Sequence, residues 1–162
     1  MNDPTSTEKT SAPILARIPP PVWVVVYVGI AIALSNRLAV PSIEVLHQPM
    51  LGTLFVLAAL ALIISAQIKF RGAGTEIMPA SPTNKVLVTS GPFGITRNPM
   101  YLGLVFLTLG IALMVATIFF FVVPVVVFLT NNATVIPFEE AKMERQFGDA
   151  YRAYKSKVRR WI

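Results

Sequence analysis

The charged residues of this chain fall in clusters, and the gaps between clusters have the length of membrane spans. Residues 18–36 carry no charge between Arg17 and Arg37, and the run Val22 to Leu34 within them is almost wholly apolar. Pro19, Pro20 and Pro21 stand where a helix can begin, because proline is tolerated in a first turn. Trp23 and Tyr27 suit a headgroup interface. The pattern predicts a spanning helix over about 19–38. A cleaved signal peptide fits less well, since the apolar run is long and no small-residue cleavage site follows. A second run, Met50 to Ile68, lies between Pro49 and Lys69. At 1.5 Å per residue it measures ~28 Å, against a hydrocarbon core of ~30 Å.

The third stretch is too long for one crossing. Asn98 to Phe138 holds 41 residues without a charge. As one straight helix it would reach ~62 Å, about twice the bilayer core. It is therefore expected to fold back near Ala116 and Thr117, giving spans over about 99–116 and 118–136, with Pro124 kinking the second. The predicted fold class is all-α integral membrane: four transmembrane helices, the last two a helical hairpin, and an amphipathic cytoplasmic C-terminal helix over 137–158. One membrane domain covers 18–162, preceded by a loose polar tail over 1–17.

Charge distribution orients these spans. Lys9 and Arg17 lie in the N-terminal tail, and Lys69, Arg71, Lys85 and Arg97 in the second connection. The C-terminal segment carries Lys142, Arg145, Arg152, Lys155, Lys157, Arg159 and Arg160, whereas the first connection holds Arg37 beside Glu44. Four spans bring every basic cluster to the cytoplasmic side of an inner or plasma membrane, as the positive-inside rule favours. Composition agrees. Of 162 residues, 54% are hydrophobic and 14% charged, and mean hydropathy is +0.65. The absence of cysteine excludes disulfides and thiolate chemistry, and the single histidine, His47, excludes a multi-histidine metal centre, so no metal is expected. The net charge of +6 then reports membrane orientation and contact with anionic lipid rather than nucleic-acid binding.

Two segments outside the spans carry candidate chemistry. Residues 69–98 form a glycine- and proline-punctuated loop longer than a connector needs, which favours an ordered binding loop. In it Thr75 and Glu76 are weaker candidates. Further on, Phe147, Ala150, Tyr151, Tyr154, Val158 and Trp161 recur at helical spacing among basic residues, the pattern of a helix lying on an anionic surface. Asn98 and Pro99 read simply as a helix cap and first-turn proline, with Arg97 snorkelling to headgroups and Tyr101 and Gly103 as interface aromatic and packing glycine. Glu139 and Glu140 stand at the membrane boundary. Pro137 is expected to restart a helix there and place both carboxylates in a first turn, where the helix dipole favours them. Their other reading is a carboxylate pair facing a cationic or hydroxyl-bearing ligand. Fold-back carries Asn98 and Tyr101 to the same level.

The run Gly91-Pro-Phe-Gly-Ile-Thr-Arg-Asn-Pro-Met-Tyr-Leu-Gly103, an apolar hairpin, Glu139-Glu140, and then Phe147-Gly-Asp-Ala-Tyr-Arg-Ala-Tyr154 and Val158-Arg-Arg resembles the isoprenylcysteine carboxyl methyltransferase and phospholipid N-methyltransferase superfamily. The resemblance covers roughly 69–160. It implies a small membrane enzyme that uses S-adenosylmethionine from the cytoplasm and a lipid-like acceptor from the bilayer. It also implies site residues: Arg97 and Glu140 as catalytic, and Gly91, Pro92, Asn98, Tyr101, Gly103, Glu139, Glu140, Tyr151 and Tyr154 around the cofactor. Asn98 stands where many carboxyl methyltransferases have histidine, a form closer to the phosphatidylethanolamine branch. Two rival functions are a membrane reductase using a nicotinamide cofactor and a non-catalytic protein binding lipid or a partner.

Overall fold

The computed structural model describes residues 18–74 and 86–162. The polar tail, Thr75, Glu76 and Lys85 lie outside the described residues. Among the described residues five α-helices follow one another and no strand occurs. They are α1 (Pro20–Arg37), α2 (Pro49–Gly72), α3 (Pro99–Val115), α4 (Ile118–Thr130) and α5 (Ile136–Lys157), with a π-helical turn, Asn131–Val135, joining α4 to α5. Proline opens α1, α2 and α3, where its missing N–H is one the helix start does not use. Helices α1 and α2, and the continuous helix from Ile118 to Lys157, are long and apolar enough to cross a membrane, while α3 is a shorter apolar helix. The chain is thus all-helical and of integral membrane character.

The long uncharged stretch reverses at Ala116 and Thr117. Ala116 takes the left-handed conformation, φ 59°, and its N–H closes the last turn of α3 on the Ala112 carbonyl at 2.7 Å. The connection between α1 and α2 is tied to the same end: the Ile43 N–H donates to the Ala116 carbonyl, the Gln48 N–H to Leu113, and Ser35 Oγ meets Thr117 Oγ1. Helix α2 packs chiefly on α3, α3 on α4, and α4 on α1.

Small residues let α2 and α3 approach. Gly52, Ala59 and Ala66 recur every seven residues on α2, and Gly103 and Gly110 do so on α3. Ala59 and Ala66 are fully buried. A Cβ on Gly110 would stand 2.6 Å from the Gly52 carbonyl oxygen, and one on Gly103 3.1 Å from that of Ala59. Close backbone contact of this kind is how helices associate where lipid removes the usual hydrophobic drive. Elsewhere apolar side chains face outward: Leu54, Leu57, Ile64 and Ile68 on α2 and Val122, Val125 and Leu129 on α4 are exposed in the isolated chain.

Two helices run on past their expected landmarks, and one sequence expectation needs correction. Helix α2 continues to Gly72, so Lys69 and Arg71 sit in its last turn, where cations complement the dipole. Pro124 lies inside α4, and the helix runs on through it. Pro137 does not restart a helix. Glu139 and Glu140 follow an unbroken turn whose carbonyls already engage the N–H groups ahead, so no free helix start exists to attract them. The break comes later, at Gly148, whose φ of 51° and ψ of −122° interrupt α5.

Candidate active site

Opposite the Ala116 turn, three stretches converge: residues 91–103, the π-helical turn with the first half of α5, and residues 151–161. Gly91, with φ 65°, makes the turn that leads Pro92, Phe93 and Gly94 into one 3₁₀ turn, and a Cβ there would press on the Lys69 side chain. Phe93 is buried, its ring 4.8 Å from that of Phe70, and its carbonyl accepts a 2.7 Å hydrogen bond from Tyr154.

Arg97 does not snorkel. Its side chain is 9% exposed; Nη2 donates to Glu140 Oε1 at 2.8 Å and Nη1 to the Lys155 carbonyl. Its Nε is buried without a hydrogen-bond partner among the described residues. Asn98 occupies the cap position of α3, yet its side chain makes no cap bond; Nδ2 donates instead to the Arg160 carbonyl at 2.9 Å. Thr96 Oγ1 donates to that same carbonyl, and the Arg97 N–H to Arg159. The start of α3 is thus strapped to the segment after α5.

The two glutamates divide. Tyr101, one turn into α3, donates to Glu139 Oε1 at 2.7 Å. Glu140 is held between two guanidiniums: Arg97 on one side and, on the other, Arg160 through Nε at 3.1 Å and Nη2 at 2.5 Å. Arg160 Nη1 and Trp161 Nε1 also donate to Asn132 Oδ1, and the Trp161 ring lies 4.7 Å from Phe128. Burial pushes the Glu139 carboxyl up to about 7, with Glu140 adding to the rise and the Tyr101 hydroxyl and Lys142 opposing it. Burial also raises the Tyr151 hydroxyl, aided by Glu140, and raises Tyr154 to about 12. Hydrogen bonding to Glu140 raises Arg160.

The structure therefore brings together Gly91, Pro92, Arg97, Asn98, Tyr101, Glu139, Glu140, Tyr151 and Tyr154 at one end of the bundle. Gly103 stands apart: two residues beyond Tyr101 on a helix, it faces Ile63 and Ala59 of α2. The C-terminal apolar positions are not a flat membrane-facing stripe. Tyr151 and Tyr154 are buried, Ala150 is exposed, and Val158 and Trp161 lie past the helix end. Sequence reasoning had Thr96 and Arg160 only as members of the matched motifs, with no role at the site, and passed over Asn132. The available signal was Asn131-Asn132, two adjacent amides inside an apolar stretch.

A family model described as phospholipid methyltransferase matches residues 47–150, from before α2 to the second half of α5. The chain belongs to the phospholipid methyltransferase family. The match takes in α2, the α3–α4 hairpin, and Arg97, Tyr101, Glu139 and Glu140 together. The methyltransferase is also 38% identical over 63 residues to an uncharacterised protein from Haemophilus influenzae, covering 39% of this chain and the whole of that relative. No solved structure matches. Membership makes this a membrane methyltransferase of the phospholipid or isoprenylcysteine kind.

Proposed function

We propose that this enzyme moves a methyl group from S-adenosylmethionine to a lipophilic or amphiphilic acceptor bearing an amine or carboxylate, taken from the inner leaflet. The observation that supports this reading is the meeting of Tyr101 and Arg97 from the start of α3 with Glu139 and Glu140 from α5. The donor set suits the cofactor's zwitterionic end. Arg97 keeps one buried N–H unpaired among the described residues, which suits a carboxylate, and Glu139, bonded by a neutral phenol, suits an ammonium or ribose hydroxyl. When bound, the cofactor supplies an already activated methyl carbon, so the protein's task is alignment and exclusion of water. Arg97 and Glu139 orient the cofactor. Tyr101 holds the Glu139 carboxylate. The buried tyrosines Tyr151 and Tyr154 close the site from α5.

Titration calorimetry of the detergent-solubilised protein with S-adenosylmethionine is the test. Saturable heat is expected; no heat and no thermal shift would overturn the reading. Affinity is also expected to rise between pH 6 and 8, because Glu139 ionises through about 7. The stability effect has the opposite sign. Glu139 holds its proton more tightly in the folded chain than in the unfolded one, so its contribution to stability falls as pH rises from 4.5 to about 7. A flat pH profile for binding would remove Glu139 from the cofactor site.

We assign both termini and the 73–98 connection to the cytoplasm, with four crossings, α3 being the short one. Tags at the N-terminus, near Asn84 and at the C-terminus should report cytoplasmic, and one near Glu44 the opposite side. Exposed Arg145, Lys155, Lys157 and Arg159 would then face anionic headgroups.

A further inference from the structure

We propose that Arg160 is a positioning residue of the methyl-transfer site, which takes the two-bond face of Glu140 and so leaves the Arg97 Nε unpaired for a ligand anion. The inference rests on the methyltransferase reading above. An arginine and a carboxylate left to themselves prefer the two-bond fork geometry. Glu140 gives that fork to Arg160, receiving Nε on Oε1 and Nη2 on Oε2, and takes a single bond from Arg97 Nη2. Arg97 is left with its Nε buried and unpaired among the described residues, although its side chain is 9% exposed. One carboxylate between two guanidiniums also leaves the group with one positive charge to spare, at the place where the cofactor's carboxylate is proposed to bind.

Arg160 is itself fixed from several sides. Its Nη1 bonds Asn132 in the π-helical turn, and its carbonyl accepts from Thr96 and Asn98. The Trp161 indole bonds the same Asn132 oxygen. π-helical turns inside α-helices are frequent at functional sites, and this one aims Asn132 at the strap. Without the Arg160 guanidinium, Glu140 is expected to turn and pair with Arg97 through both nitrogens on one edge, neutralising the spare charge. The main-chain bonds of the strap, Thr96 and Asn98 to the Arg160 carbonyl and the Arg97 N–H to Arg159, do not depend on that side chain.

The test compares the full-length wild type with Arg160→Gln and Arg160→Lys in detergent, measuring S-adenosylmethionine Kd by calorimetry together with thermal midpoint. Arg152→Gln, which removes an exposed ion pair on the outer face of α5, is the reference for loss of a surface charge. Arg160→Gln is expected to raise Kd roughly tenfold, and Arg160→Lys to recover part of that loss because it restores the charge without the fork. In a methyl-transfer assay the cofactor KM should rise while kcat at saturation stays near wild type. A wild-type Kd in Arg160→Gln overturns the proposal. So does equal weakening in the lysine and glutamine variants with kcat and thermal midpoint falling together, since that marks a purely structural role. If Arg160→Gln does not fold, the lysine variant decides by the same KM-against-kcat comparison. A wild type that binds no cofactor overturns the methyltransferase reading itself, a different result from normal wild-type binding with an unaffected Arg160→Gln.

Discussion

Gly110→Leu is expected to abolish folding of the helical bundle or to lower its thermal midpoint by roughly 6–12 °C, following a loss of about 3 kcal/mol. The obstacle is backbone. A Cβ at this position meets the Gly52 carbonyl at 2.6 Å and the Val56 N at 3.1 Å, and neither can rotate aside as a side chain would. Helices α2 and α3 would have to separate along the whole Gly52–Ala59–Ala66 seam, giving up contacts such as the edge-on pair Phe55 and Phe106. Since α3 carries Tyr101 and follows directly on Arg97, that separation also displaces the site. Gly29→Ala is the matched control. Nothing lies within 4 Å of its added Cβ, and alanine is the better helix former by about 1 kcal/mol. Thermal unfolding in detergent checks both, and a Gly110→Leu protein as stable as Gly29→Ala would show that the seam does not hold the helices together.

Glu140→Ala is expected to cost about 3–5 kcal/mol of stability and to eliminate methyl transfer, because it strands the buried Arg97 guanidinium without a counter-charge. Arg97→Ala should be nearly as severe, leaving Glu140 with Arg160 alone. The double variant Arg97→Ala/Glu140→Ala should fall short of the sum by about 0.5–3 kcal/mol, as expected of partners in one network. Glu140→Gln keeps an acceptor oxygen for one arginine and should be milder. Glu144→Gln, at a water-exposed pairing with Lys155, should change little, since solvent screens that contact. Chemical denaturation of the set, with a transfer assay, is the measurement. Additive losses would mean that Arg97 and Glu140 do not act as a unit.

Much of the bundle was legible along the chain for a simple reason: the bilayer imposes a length on every crossing, and charge cannot sit inside it. That is why α1 falls within a residue or two of the uncharged run it came from, and why a 41-residue stretch turns back. Helix ends were less legible. Lys69 and Arg71 read as loop charges, but helix α2 carries them past the apolar boundary, because a helix does not end where hydrophobicity does. The site was legible as residue types at intervals. Tyr101 and Glu139 could be placed at one level from the fold-back alone.

Partnership was not legible, because it depends on side-chain direction across helices. The adjacent Glu139 and Glu140 looked like a pair. Neighbours on a helix point about 100° apart, so one meets Tyr101 and the other two arginines. Asn98, read as a cap, spends its amide on the Arg160 carbonyl, and Gly103 serves the α2 seam. The sequence by itself determined the membrane class, the helical character, the place of the reversal and the family motif, since these follow from hydropathy, length and residue identity. Only the tertiary structure decided that residues 158–161 return across the start of α3 and that Glu140 lies between Arg97 and Arg160. Contacts between residues tens of positions apart are set by how helices pack, and no local pattern encodes that.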